Sequence, residues 1–154
     1  MTGDLQPLRD ILHRVLARYL TVRPNGFVLH DDGRPPRRTV EARILGYGGA
    51  RTLYRDRKPD CRSLDGVASI THTGRRCTGC ELRPKCTPQV RLDLIVDYRP
   101  YRLILAQTSA RNFLEHEAKL RQAAIAFEAI AHRIEVIDRG SWGELRFDRA
   151  RDAS

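Results

Sequence analysis

The sequence predicts a mainly β, α+β domain: a small Greek-key barrel of about six short strands with an N-terminal amphipathic helix, one later helix and a four-cysteine metal-binding insertion. Three observations carry that reading. Several short segments alternate apolar and polar residues with period two. Two stretches place apolar residues at helical spacing. All four cysteines, Cys61, Cys77, Cys80 and Cys86, fall inside one 26-residue window of the 154-residue chain.

Taken in order, residues 4 to 20 put Leu5, Leu8, Ile11, Leu12, Val15, Leu16, Tyr19 and Leu20 on one helical face, with Pro7 in the first turn. Arg9, Asp10, Arg14 and Arg18 form its charged face, and residues 1–22 are expected to pack as one helix that offers a docking surface to a protein partner. Strands follow over Gly26 to His30 and Thr39 to Leu45, separated by Asp31-Asp32-Gly33 and Pro35-Pro36. Gly46, Gly48 and Gly49 are expected to break or bulge the sheet. Val90 to Asp97 alternates cleanly, with Arg91, Asp93 and Asp97 among the residues set against Leu92, Leu94 and Val96. Pro100 marks a turn, and Tyr101 to Gln107 makes the next strand.

A helix is expected over Ala110 to Ala123 with Ser109 as N-cap and Phe113, Leu114, Leu120 and Ala124 toward the core. Strand resumes at about residue 130, the chain turns from Gly140 to Gly143, and Glu144 to Asp148 closes the set. One domain is expected over residues 23–150, with the metal-binding insertion at 59–88 and a tail at 151–154. Short strands with loops of these lengths suit the oligonucleotide-binding (OB) barrel.

The cysteines are separated by fifteen, two and five residues. Cys77-Thr-Gly-Cys80 can present two thiolates to one tetrahedral metal from a tight turn, and Gly79 lets that turn close. Cys61 and Cys86 complete a four-sulfur set of the closed, structural kind, which holds shape and does no chemistry. Zinc is the leading occupant; an iron–sulfur cluster is the alternative, since thiolates alone do not separate the two. A disulfide reading is disfavoured by a polar N-terminus lacking an apolar signal segment. No run of eighteen apolar residues occurs, so the expectation is a cytoplasmic protein that does not span a membrane.

Charge locates the partner. The net charge is +9, and residues 34–91 hold fourteen Lys/Arg against five Asp/Glu, while the flanks hold fourteen of each. So strong a one-signed segment calls for a polyanion, and nucleic acid fits it better than a membrane surface does, because the segment is rich in turns rather than amphipathic helix. Proteins that bind single strands combine such cations with rings on which bases stack. The candidates are Arg43, Tyr47, Arg51, Tyr54, Arg55, Arg57, Lys58, Arg62, Arg75, Arg76, Lys85 and Trp142.

Catalytic readings lack support. No phosphate-binding glycine loop is present, Ser63-x-Asp65 alone forms no triad, and His72, His116 and His132 have no metallohydrolase spacing with carboxylates. Asp60, Asp65 and Asp93 read as partners of neighbouring arginines, and Asp65-Gly66 as the turn that aims Cys61.

Pro59-Asp60-Cys61-Arg62-Ser63-Leu64-Asp65-Gly66, then Cys77-x2-Cys80 and Cys86, then Pro100-x2-Leu103-Ile104-Leu105-x2-Thr108-Ser109 with Phe113, resemble a group of bacteriophage and mobile-element proteins. The match covers roughly residues 25 to 148, with a shorter insertion and no Pro after Cys80. The resemblance implies an OB-type barrel with a four-cysteine insertion that binds single-stranded DNA in replication, recombination or element mobility, without catalysis. The alternatives are an assembly subunit of a nucleoprotein complex and an iron–sulfur nuclease accessory.

Overall fold

The computed structural model describes residues 17–29, 33–72 and 74–151. In these residues the chain is mainly β, with one α-helix and a mixed sheet. The strands are β1 (Arg18–Tyr19), β2 (Thr21–Arg23), β3 (Gly26–Val28), β4 (Thr39–Arg55), β5 (Lys58–Ser63), β6 (Thr87–Val96), β7 (Arg99–Ala106), β8 (Ala131–Asp138) and β9 (Gly143–Arg149); helix α1 covers Gln107–Gln122. Residues 1–16 of the expected N-terminal helix lie outside the described residues. The end of that segment is not helical, because Arg18 and Tyr19 pair in parallel with Tyr101 and Arg102 of β7, and Leu20 is buried in the core.

The long strand β4 organises the sheet. One edge pairs with β6 from Arg43 to Thr52. The other edge pairs with β8 from Thr39 to Arg43 and with β5 from Arg51 to Arg55. Of the break or bulge expected at the three glycines, the strand shows the bulge and not the break. The register slips once, between Ile44 and Gly46, and the ladder continues. At Gly48 the missing side chain is a clearance, since a Cβ there would stand 3.1 Å from the Arg91 guanidinium.

Among the described residues, sixteen buried apolar side chains form the core, including Val40, Ala42 and Ile44 of β4, Leu92, Leu94 and Val96 of β6, and Leu103 and Leu105 of β7. Alternation places them on one face, as the period-two pattern requires. The helix adds Phe113, fully buried at 0% exposure.

Helix α1 starts at Gln107, with no side-chain cap at its first turn. Ser109 is not the N-cap. Its hydroxyl accepts the Leu145 N–H at 3.0 Å, while Asn112 Nδ2 donates to the Leu145 carbonyl at 2.9 Å. Two helix side chains thus satisfy both main-chain groups of one β9 residue, covering an edge that would otherwise be open to another strand. The sheet path is accordingly open, running β1-β7-β6-β4-β8-β9. The buried helix face is Ser109, Phe113, His116 and Leu120. Leu114 points away at 47% exposure and Ala124 is exposed beyond the helix, so neither joins the core.

Two tight hairpins complete the frame. β4 and β5 meet at Asp56-Arg57, and β6 and β7 at Asp97-Tyr98; all four residues have positive φ, between 49° and 66°. Pro100 is not in the turn but in β7, opposite Ile95. Among the described residues no helix is long and apolar enough to cross a membrane.

Candidate metal centre and nucleic-acid interface

Cys61 lies in β5 opposite Leu53. The chain then turns on Ser63-x-Asp65-Gly66. The Ser63 hydroxyl donates to Asp65 Oδ1 at 3.0 Å and accepts the Gly66 N–H at 2.9 Å, while Asp65 Oδ1 also accepts from Val67 and Ala68 at 2.7 and 3.0 Å. The Ala68 N–H leads the contacts that hold the Asp65 carboxyl below its ordinary range. Gly66, at φ +74°, takes the left-handed conformation that this turn requires, beside the Gly49 carbonyl of β4. The expected role of Asp65-Gly66 as a shaping turn is what the hydrogen bonds describe.

From there the chain doubles back. Cys77 N donates to the Val67 carbonyl, Cys80 N to Cys77, Arg83 N to Cys80 and Cys86 N to Arg83. Gly79 has φ +77°, the left-handed conformation that closes the Cys77–Cys80 turn. All four cysteines are half-buried and none is in a disulfide. They line one small void together with Leu53, Ser69 and Leu82, and with Arg75, Arg76 and Arg83. Cys61 Sγ stands 3.2 Å from the Ser69 hydroxyl, and Cys86 Sγ points to the Leu82 carbonyl at 3.6 Å.

Burial, and then the other three sulfurs, push the Cys86 thiol up, with Arg51 opposing. Four thiolates this close repel one another unless a cation joins them. The donor set, all sulfur and facing one void, fits a closed tetrahedral metal such as zinc. Among the described residues, however, no group of three or more His, Cys, Asp or Glu side chains stands at metal-holding distance. The backbone brings the four sulfurs to one place without closing them to ligand geometry.

The twelve expected nucleic-acid residues do not share one surface. Tyr47 and Tyr54 are seven residues apart on a continuous strand, an odd spacing that sends them to opposite faces. Tyr47, 40% exposed, packs its edge on Phe113 and Phe127 with centroids 5.2 and 5.4 Å away. Tyr54 stands over Gln89, whose amide donates to its hydroxyl at 3.3 Å. Arg51 is close enough to the cysteines to act on Cys86, and Arg55 pairs with Asp60 at 3.1 Å. Arg57 occupies the tip of the β4–β5 hairpin beside the exposed Lys58. Arg75, Arg76 and Lys85 are exposed on the cysteine loop, and Arg43 is exposed where β4 passes between β6 and β8. Trp142, 44% exposed, sits in the β8–β9 turn, beyond the opposite end of β4, a contour of roughly 55 Å from Arg57.

Arg62 leads to a face that the sequence list missed. Its guanidinium lies over the Tyr19 ring, 5.5 Å from the centroid. Cross-strand register puts Gly46, Asp93, Arg102 and Tyr19 in one outward row and Gly48, Arg91 and Ile104 in the next. Arg91 donates to the Leu64 carbonyl and lies 3.4 Å from Asp93. Arg62 Nε is buried without a hydrogen-bond partner, and Arg91 Nε, also buried, is the atom that ion-pairs with Asp93. The outward phase of Arg91 was legible in the alternation of β6. The approach of Tyr19 was not, because helix periodicity masked a two-residue strand.

Compared with known proteins, the chain matches no family model, no curated protein and no solved structure.

Proposed function

We propose that the chain is a non-catalytic single-stranded nucleic-acid-binding protein built on an OB-type barrel, with the strand crossing the face of β4, β6 and β7. The observation that carries this reading is a cation and a ring together on one sheet face: the Arg62 guanidinium lies over the Tyr19 ring, and Arg91 stands in the outward row beside Gly48. Each cation can meet a phosphate of the backbone, and the adjacent ring can take a base. The strand order supports the barrel. One long strand pairs with β6 on one edge and with β8 and then β5 on the other, and, with β5 left aside, the helix falls between the third and fourth strands of the series β4, β6, β7, β8, β9. In OB barrels this middle face and the flanking loops bind oligonucleotides. Here the flanking loops are the cysteine loop and the turn that carries Trp142.

Cys61, Cys77, Cys80 and Cys86 hold a structural zinc in this reading, an iron–sulfur cluster being the other outcome of metal analysis. When bound, the cation neutralises the sulfurs and fixes the loop beside the sheet face. The chain's own residues do the binding. DNA in preference to RNA, and a role in replication, recombination or mobility of a phage or mobile element, follow the resemblance of the cysteine and Pro100–Ser109 motifs.

Fluorescence anisotropy on single- and double-stranded oligonucleotides at two salt concentrations tests the proposal. Sequence-tolerant, steeply salt-dependent binding of single strands that is lost in Arg62→Ala/Arg91→Ala supports it. A chain that binds no oligonucleotide at low salt is not this protein.

A further inference from the structure

We infer that Tyr98, at the tip of the β6–β7 hairpin, is a base-stacking residue that extends the binding path past the sheet face. This rests on the single-strand reading above. Tyr98 is 100% exposed, and its backbone sits at φ +63°, next to Asp97 at +49°. Two-residue hairpin turns with both φ values positive favour Asn-Gly or Asp-Gly. A tyrosine in the second position is strained in its backbone and leaves its whole ring in water, so the residue serves the fold poorly on both counts. The sister hairpin repeats the pattern, with Asp56 at +50° followed by Arg57 at +66°. Each tip has an aspartate that tolerates the conformation and then, where glycine belongs, a side chain suited to nucleic acid: a cation at one tip and a ring at the other.

The surroundings fit a nucleic acid better than a protein. Arg99 follows Tyr98, and Arg37 Nη2 holds Asp97 Oδ2 at 2.5 Å, keeping the one acidic neighbour occupied. No exposed aliphatic residue adjoins the tip in sequence, whereas protein-docking rings sit in apolar patches. The tip also shares an end of the molecule with Trp142. Arg37 reaches Asp97, the Arg38 carbonyl accepts from Val136 N at 2.8 Å, and Asp138 faces Gly143 across β8 and β9. Residues 37–38 therefore connect the β6–β7 tip to the strand pair whose turn carries Trp142.

Tyr98→Gly separates a ligand role from a structural one, because glycine relieves the backbone. The expected result is a higher unfolding midpoint together with oligonucleotide affinity weakened roughly 5- to 100-fold, while Tyr98→Phe retains affinity. Affinity unchanged in Tyr98→Gly, with binding still lost in Arg62→Ala/Arg91→Ala, overturns the tip and leaves the function reading standing. A native chain that binds no oligonucleotide overturns both. A Tyr98→Gly chain that keeps its oligonucleotide affinity but loses a protein partner overturns the stacking role in favour of protein docking.

Discussion

His116 Nε2 and His132 Nδ1 are 2.9 Å apart in the core, and His132 Nε2 lies 2.6 Å from the Phe127 carbonyl. A carbonyl only accepts, so His132 carries its proton on Nε2 and its Nδ1 accepts from His116 Nε2–H. Both rings are neutral in this chain of donors. They are 8% and 0% exposed, and burial leads the causes that lower both pKa values, His116 to about 4. His132 and Lys119 lower His116 further, and Asp148 opposes them.

Acid is therefore expected to unfold the protein through this pair. A depressed folded pKa means the unfolded chain binds the proton first, so the contribution is whole above pH 6.5 and falls as pH drops toward 4. The loss attributable to His116 is about 3 kcal/mol. Urea denaturation across that range measures it, and His116→Leu should flatten the slope. A slope that persists in His116→Leu assigns the acid sensitivity elsewhere.

The arginine pair makes a quantitative salt prediction. Each phosphate contact to a single strand contributes about 0.7 to the slope of log affinity against log salt, so Arg62→Ala/Arg91→Ala should reduce its magnitude by about 1.4. An affinity loss at unchanged slope would mean that Arg91 braces the Leu64 turn, Arg62 packs on Tyr19, and neither touches a phosphate.

Replacing Cys77 and Cys80 with Ser should remove bound metal and speed amide exchange between residues 64 and 86, while β8, β9 and α1 stay protected. Elemental analysis and hydrogen exchange read the two effects separately. Native protein purified without metal, with all four thiols reacting rapidly, would sink the staple.

Phe113 is the keystone of helix packing, with Tyr47 at 5.2 Å and Phe147 at 5.4 Å edge-on to its ring. Phe113→Ala should cost about 3–5 kcal/mol by denaturation, and Phe113→Leu much less. If the alanine variant lost under about 1 kcal/mol, the helix would not be docked as described.

Where packing repeats locally, the elements were legible. Leu92, Leu94 and Val96 announced β6 because one sheet face meets a core and the other does not. The helix through Phe113 was legible from its formers, but Ser109 was misread as a cap. Cap and cross-chain tie use the same hydroxyl, and only the arrival of Leu145 decides between them. Gly48 of β4 posed the same difficulty: it is a break in an isolated strand and a clearance once Arg91 lies across it.

The sequence by itself determined a mainly β chain with one internal helix, a cationic middle and four cysteines in one short window. Each of these follows from composition, spacing or period within a few residues. Only the tertiary structure decided which side chains share a surface. It sent Tyr47 and Tyr54 to opposite faces and Trp142 to the far end of β4, and it brought Tyr19, Arg62 and Arg91 to the β4–β6–β7 face. Such neighbours are set by strand register and by which edges pair, and register is fixed by partners far away in the chain, as Tyr19 and Arg102 are.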